Sequence, residues 1–373
     1  MMFLASRDLR FARGRFALIG AVVVMIAFLG VILSGLASGL ADSGISSLRT
    51  LPVTDLAFAK SASGELFSQS TITQATWQSW ADQPGVRKAE PLGQSLVHAQ
   101  VAGSGGEQVD LAAFGVEPGG FLAPAPVTGR PLGADPDGVL ISRQIADGGV
   151  KIGDRLLAGQ SDTPLTVIGT IGDSSFGHVG AVYMPLALWQ QLHYGLPGPM
   201  PAAARQQATA VALQLAPGAD ITAIDQRLNT QTVDRAGAYA ASPGYSAESG
   251  TMTLIRGFLY VISALVVGSF FTVWTIQRRD EIALLKAIGA GTGYILRDAL
   301  TQVAVVLTGA TAVGTGIGLA LGKHLMGSAP FALETSHVLF AAILLIALGL
   351  AGAAVAVRRI TKVQALTALG ANR

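Results

Sequence analysis

The hydrophobic residues of this chain fall into four long runs, separated by one long polar segment and two short ones. A membrane-spanning helix needs about 20 apolar residues, and each run reaches that length. The first run exceeds the roughly 7–15 apolar residues of a cleavable signal peptide, which favours a permanent anchor over a secretory signal. The sequence therefore predicts four transmembrane helices, at residues 16–41, 253–277, 299–322 and 338–357.

The long segment between the first two spans, residues 42–252, has a different pattern. Alternating and β-branched apolar residues bounded by Gly and Pro predict strands, and apolar residues three or four apart predict helices at 73–80 and 220–229. The predicted strands are residues 55–60, 86–101, 108–114, 165–171 and 210–215. The expected fold class is an α-helical membrane protein with four transmembrane helices plus a mixed α/β extracellular domain.

The charges are distributed unevenly between the two sides of the membrane. Residues 42–252 have a net charge of −7, and the rest of the chain has a net charge of +9. Basic residues flank the spans in an N-terminal amphipathic helix (1–15), a coupling helix and loop (278–298) and a tail (358–373). By the positive-inside rule these three segments are cytoplasmic, and the short loop 323–337 is extracellular. We expect a multi-pass plasma-membrane protein with both termini in the cytoplasm.

The composition excludes several classes of function. Hydrophobic residues make up 50% of the chain and charged residues only 13%, against about 25% charged in soluble domains. The chain has no cysteine, which excludes disulfides and thiolate metal sites. Membrane topology explains the basic side, so we expect no nucleic-acid partner. No catalytic triad or paired carboxylates can be argued, and His98, His178 and His193 are interpreted as ordinary surface or turn residues.

Small residues recur every four positions in two of the spans. Gly314, Gly318 and Gly322 form a stripe on the third, and Gly35 and Gly39 do so at the outer end of the first. Such stripes allow another helix to approach closely. The approaching helix belongs either to the same chain or to a second copy.

The connection after the second span contains a short charged and amphipathic run. If residues 280–288 form a helix, its apolar positions line one ridge, its charged positions face a partner, and Gly289 ends it. The alternative is a plain interfacial helix lying on anionic membrane lipid. The residues predicted to contact a partner are Arg278, Arg279, Glu281, Ile282, Leu285 and Lys286.

This run, together with residues 150–154 and the tail 358–366, resembles the permease subunits of the FtsX-like, MacB-type ABC transporter superfamily. The resemblance covers the whole chain and implies a non-catalytic subunit that pairs with a second copy of itself and two copies of an ABC ATPase. The chain has no G-x-x-x-x-G-K-[ST] phosphate loop, so the ATPase partner binds the ATP. Lys362 and Val363 stand where the family has a proline, which leaves the contact of the tail open.

Four polar or polarizable residues meet the outer end of the second span. Tyr245, Glu248, Met252 and Arg256 are three, four and four residues apart, which places them along one helical stripe. Such side chains are costly beside a bilayer unless they are satisfied. Haem would use them all, because Glu248 and Met252 could ligate its iron and Arg256 could pair with its propionates. The other predicted contacts of the macrocycle are Leu36, Leu40, Phe258 and the same surface of a second copy.

The N-terminal residues 3–9 and 14–16 also resemble the haem-exporting permeases of Gram-positive bacteria. This resemblance implies haem as the transported ligand, with no intrinsic cofactor and no other metal site. Two alternatives stay open. Glu248 and Arg256 are interfacial charges with Met252 a packing residue, or the protein is a mechanotransmission scaffold that activates a cell-wall hydrolase or lipoprotein partner. The scaffold predicts a protein partner on residues 42–252 and no lateral ligand site.

Overall fold

The computed structural model describes residues 13–62, 65–103, 108–195, 200–277, 284, 288–325, 331–333 and 335–361. The chain forms two units, each with its own packing. The membrane unit contains the described residues up to Gly39 and from Ser249 onward, and the α/β unit contains Leu40–Glu248.

The described helices and strands are numbered in chain order. The helices are α1 Arg13–Thr50, α2 Leu66–Gln69, α3 Gln74–Ala81, α4 Arg143–Asp147, α5 Leu186–Tyr194, α6 Ile221–Leu228, α7 Arg235–Ala240, α8 Tyr245–Gln277, α9 Thr292–Leu325 and α10 Thr335–Thr361. The strands are β1 Asp55–Ala59, β2 Ile72–Thr73, β3 Val86–Val101, β4 Gln108–Val116, β5 Thr128–Gly129, β6 Gly138–Ile141, β7 Arg155–Ala158, β8 Thr163–Thr170, β9 Ser175–Phe176, β10 Val179–Pro185, β11 Gln207–Ala208, β12 Ala210–Leu215 and β13 Thr230–Asp234.

Four of these helices are long and apolar enough to cross a membrane, as the sequence pattern predicts. They contain the segments Ala17–Thr50, Tyr245–Gln277, Gly293–His324 and Val338–Val355. Their shared core includes Val23 of α1, Phe271 of α8 and Val303 of α9, all fully buried. The outward faces expose large apolar side chains, as expected of helices surrounded by lipid.

The glycine stripe on α9 packs against α1 within the same chain. A Cβ atom added to Gly314 would lie 2.3 Å from the carbonyl oxygen of Val24, and one added to Gly318 would lie 2.8 Å from Cβ of Val31. No side chain fits in these gaps, so the glycines let the two helix backbones approach closely. At Gly314 and Gly318 the approaching helix therefore belongs to the same chain, and not to a second copy.

The expectation that Gly35 receives a neighbouring helix is wrong. Gly35 faces the ring of Phe331, which precedes α10, and an added Cβ would lie 2.2 Å from Cζ of that ring. The backbone N–H of Ala332 donates to the carbonyl oxygen of Gly35 at 3.0 Å, which holds the segment in place. Gly322 contacts the same ring. A small residue opens space for any neighbour, and here a loop residue fills it.

Two of the helices continue past the predicted spans into the α/β unit. Helix α1 extends to Thr50, and α8 begins at Tyr245 rather than at residue 253. In the extension of α1, Ile45 and Leu48 are 3% and 2% exposed. The apolar run marks where a helix is compatible with lipid, whereas a helix outside lipid continues as long as its side chains find partners.

The α/β unit is built on one large mixed sheet. Its strand order is β13-β1-β12-β3-β4-β10-β6-β8-β5, with β7 paired to β3 and β8, and β9 paired to β10. Strand β3 changes partner along its length, pairing antiparallel with β12 up to Leu92 and with β4 from Gly93 onward. The predicted strands are present within two residues at each end. The strands that the pattern missed have only 2 to 7 residues and carry too few alternations to be recognised.

Buried side chains cover both faces of the sheet. One core centres on Phe67, Phe114 and Phe176, with edge-to-face ring contacts of 5.1 and 5.9 Å to Phe176. The other contains Trp189 of α5, which is 1% exposed. The two predicted helices correspond to α3 and α6, and Asp220 caps α6 by accepting from the N–H of Ala223.

Candidate functional site

The predicted ATPase-coupling residues Arg278, Arg279, Glu281, Ile282, Leu285 and Lys286 lie outside the described residues. The described neighbours agree with the predicted helix end. Leu284 is helical, and the N–H of Ile288 donates to its carbonyl oxygen at 3.1 Å. Gly289 has a φ of +99°, a conformation in which glycine commonly ends a helix. Most of the predicted helix at 280–288 lies outside the described residues, so its end at Gly289 stays a prediction.

The predicted ligand residues Tyr245 and Glu248 form the first turn of α8 and belong to the α/β unit. Both are half-buried. The backbone N–H of Glu248 donates to the carbonyl oxygen of Gly244 at 3.0 Å. A carboxylate in the first turn is also favoured by the helix dipole. The backbone of Glu248 is thereby fixed.

The carboxylate of Glu248 has a partner that sequence reasoning missed. His178 Nε2 lies 3.0 Å from Glu248 Oε1, and His178 Nδ1 lies 2.9 Å from Ser43 Oγ. Because a carboxylate only accepts hydrogen bonds, Nε2 carries the proton and donates it. One imidazole therefore bridges α1 and α8 at one end of the α/β unit.

His178 sits in a strained but well-supported turn. Gly177 and His178 connect β9 to β10 with φ values of +58° and +68°, the pattern of a type I′ hairpin turn. Their N–H groups donate to the carbonyl oxygens of Gly44 and Ser43 at 3.0 and 3.2 Å. His178 does occupy a turn, as interpreted from the sequence, but it is not an ordinary one. No local signal relates it to Glu248, which is 70 residues away.

The remaining predicted residues of α8 belong to the membrane unit. Met252 and Arg256 are half-buried. Arg256 donates from its terminal nitrogen to the carbonyl oxygen of Ser34 at 3.4 Å, and its Nε is buried without a hydrogen-bond partner among the described residues. A guanidinium with one long hydrogen bond to a neutral carbonyl has capacity for an anion.

The other predicted macrocycle contacts differ in their exposure. Leu36 and Leu40 of α1 are half-buried, and Phe258 is 65% exposed. At 100° per residue, Phe258 is about 200° around α8 from Arg256, on the opposite face. The contact of Phe258 with the macrocycle stays a prediction.

The described residues contain no group of three or more His, Cys, Asp or Glu side chains that could hold a metal ion. Of the four predicted stripe residues, Tyr245 and Glu248 belong to the α/β unit, and Met252 and Arg256 belong to the membrane unit. The first pair offers a phenol and a carboxylate, and the second pair offers a thioether and a guanidinium.

Two family models match nearly the whole chain. Residues 18–231 match the MacB-like periplasmic core domain, and residues 254–365 match the FtsX-like permease C-terminal domain. The chain belongs to the MacB-like and FtsX-like ABC transporter permeases. The permease is a transport subunit and a membrane protein, with the fold class expected from its sequence.

The permease is similar to other bacterial permeases over most of its length. It is 24% identical over 369 residues to a Staphylococcus haemolyticus protein that bears the provisional name hemin transport system permease protein HrtB, with 99% of each chain covered. It is also 24% identical over 323 residues to an uncharacterized ABC transporter permease from Mycobacterium tuberculosis, with 86% of each chain covered.

Two solved structures are similar to the α/β part of the permease. The extracellular domain of the ABC-type transporter YknZ from Gram-positive bacteria is 16% identical, with a TM-score of 0.36, covering 49% of this chain and 100% of that one. The periplasmic region of MacB from Actinobacillus actinomycetemcomitans is 13% identical, with a TM-score of 0.34, covering 53% of this chain and 95% of that one.

Proposed function

We propose that this permease exports haem from the outer leaflet of the plasma membrane, driven by a separate ATPase. The observation that carries the proposal is the stripe of Tyr245, Glu248, Met252 and Arg256 on α8, a helix in which Glu248 and Arg256 are the only charged residues. Polar groups at the edge of a bilayer are costly and are retained for function. Haem combines an iron that accepts carboxylate and thioether ligands with two propionates and an apolar ring.

Arg256 supplies the strongest local argument for an anionic ligand. Its Nε is buried without a partner among the described residues, and the long bond to the Ser34 carbonyl leaves the positive charge uncompensated by that contact. A carboxylate would accept two hydrogen bonds from the guanidinium and neutralise it. A haem propionate fits this requirement, and by sequence spacing Met252 and Glu248 then follow at about one and two helical turns from Arg256 as ligands for the iron.

The relatives support haem as the cargo. The provisional hemin permease of Staphylococcus haemolyticus matches this chain along its whole length, and so does one from Staphylococcus epidermidis, at 22% identity. These names favour transport over the mechanotransmission scaffold. Haem as the specific substrate rests on the stripe together with these names.

The same proposal assigns the partners and the orientation. Two copies of the permease bind two ATPase subunits in the cytoplasm through the coupling residues from Arg278 to Lys286. Both termini are cytoplasmic, and the α/β unit is extracellular, as the positive-inside rule indicates. Closure of the ATPases around ATP moves the coupling helix, and the paired spans release haem outward.

A haemin titration of the purified full-length permease tests the binding site. We expect a Soret band that shifts on binding, and a weakened or displaced band in Glu248→Ala and Met252→Ala. Met25→Ala is the matched control, because Met25 lies on α1 and is 62% exposed. Absence of any spectral change with the wild-type protein would end the haem proposal.

Growth in excess haem tests export in the cell. A strain lacking the gene should grow less well than the parent, and the wild-type gene should restore growth. Glu281→Lys should abolish the rescue while the protein still reaches the membrane, because it reverses a charge that the proposal assigns to the contact with the ATPase. Unaffected growth of the deletion strain would contradict haem export and leave the fold unchanged.

A further inference from the structure

We propose that His178 is a positioning residue for the substrate site, acting through Glu248. The inference rests on the proposed function and adds a residue of the α/β unit to it. Its basis is the contact between the hairpin turn Gly177–His178 and the first turn of α8.

The geometry fixes one carboxylate oxygen and leaves the other for a ligand. His178 donates from Nε2 to Oε1 of Glu248 at 3.0 Å. A glutamate side chain has three rotatable bonds, and its carboxylate can point in many directions unless something holds it. With Oε1 held, Oε2 takes a defined direction. Carboxylates that bind iron are themselves usually hydrogen-bonded, and this orientation contributes to their affinity.

Both the ring and the backbone of His178 are held by contacts with α1. Its side chain is 34% exposed, and its second ring nitrogen contacts Ser43 Oγ, which in turn donates to the carbonyl oxygen of Leu40 at 2.8 Å. Its backbone adopts a positive φ that few residues other than glycine tolerate, and the bond from its N–H to the Ser43 carbonyl supports that conformation. The turn therefore delivers the imidazole to one place.

A second histidine shows what an unsupported pair looks like. His98 on β3 contacts Asp110 on β4, with side chains that are 88% and 58% exposed. That pair links two neighbouring strands, on which His98 and Asp110 lie directly opposite each other. It has the same chemistry as His178 and Glu248 without the surrounding contacts, which makes His98→Ala a matched control.

The test is a double-mutant cycle read by haemin binding to the full-length permease. We expect His178→Ala to weaken haemin binding by about 10- to 100-fold and to shift the Soret maximum toward that of Glu248→Ala. His178→Gln retains an N–H donor and should restore most of the affinity. In a Glu248→Ala background, His178→Ala should have no further effect, because its influence passes through that carboxylate. His98→Ala should bind like the wild type.

The outcomes separate this inference from the proposed function. If the wild type binds haemin and His178→Ala binds equally well, the positioning role is overturned and haem binding stands. Additive losses in the double variant would also overturn it, because they would indicate a general structural effect. If His178→Ala does not fold, His178→Asn replaces it in both backgrounds, because asparagine tolerates a positive φ and its side chain is too short to reach Glu248. A wild type that binds no haemin overturns the proposed function and this inference together.

Discussion

Alanine at Gly115 should measure how tightly the α/β unit is packed. Gly115 on β4 lies directly opposite Gly93 on β3, and the two form a slot that receives the indole of Trp189 from α5. The slot lies on the face of the sheet that packs in the core containing Trp189. Gly115→Ala adds one methyl group to the floor of this slot.

The structure sets the size of the effect. The new Cβ would lie 2.4 Å from Cβ and 2.6 Å from Cγ of Trp189, whereas carbon atoms normally approach to about 3.5–4.0 Å. The indole cannot simply slide away, because its Nε1 donates to Ser95 Oγ at 3.0 Å. Overpacking of a core costs about 1–3 kcal/mol. The added methyl group would lie between the strand backbone and an indole ring that is itself hydrogen-bonded, so neither side can move away easily. We therefore expect a loss of stability at the upper end of this range, about 3 kcal/mol.

The assay is thermal unfolding of the full-length protein in detergent at one fixed scan rate, because unfolding of such proteins is often irreversible. For a domain of this size, 1 kcal/mol corresponds to about 2–4 °C, so we expect the apparent Tm of the α/β unit to fall by about 6–12 °C. Gly172→Ala is the control, since an added Cβ there has nothing within 4 Å and should leave the Tm unchanged.

A second variant separates the steric argument from other causes. In a Trp189→Leu background the slot is less full, so Gly115→Ala should cost much less than in the wild type. A fall in Tm below about 2 °C in the wild type would refute the reasoning. So would an equal fall in both backgrounds, since the cost would then not come from the indole.

Three further outcomes are expected. Gly314→Leu should prevent formation of a monodisperse folded protein, because its Cβ would lie 2.3 Å from a backbone oxygen of α1. Gly316→Leu has nothing within 4 Å of its Cβ and should elute as a single peak in size-exclusion chromatography. Phe331→Ala should destabilise the protein by about 3 kcal/mol, since it uncovers Gly35, and a loss below about 1 kcal/mol would contradict that contact. Burial lowers the pKa of His193 below its ordinary 6.5, so its contribution to stability is complete above pH 6.5 and is lost as the pH falls through the lowered value. Thermal unfolding at pH 7.5 and 5.0 should therefore show a smaller difference in His193→Gln than in the wild type.

The membrane helices and the longer strands could be predicted because their signals are local. A helix that crosses lipid needs an unbroken apolar run, and a strand with one buried face needs alternation, so each element is recorded in its own residues. The stripe on α8 is also local, because helical spacing alone aligns its residues.

The candidate site was only partly predictable, because its supporting contact joins distant segments. His178 meets Glu248 because a hairpin turn between β9 and β10 lies beside the first turn of α8, and nothing near either residue indicates this.

The sequence by itself determined which segments enter the membrane, which segment folds as an α/β unit, and which residues share a helical face. These properties follow from hydrophobicity and from the fixed periods of helix and strand. Only the tertiary structure decided that Phe331 fills the space beside Gly35, that Trp189 fills the slot at Gly93 and Gly115, and that His178 holds Glu248. Such contacts depend on the shapes of surfaces far apart in the chain, and packing at close to crystal density leaves one arrangement that fits.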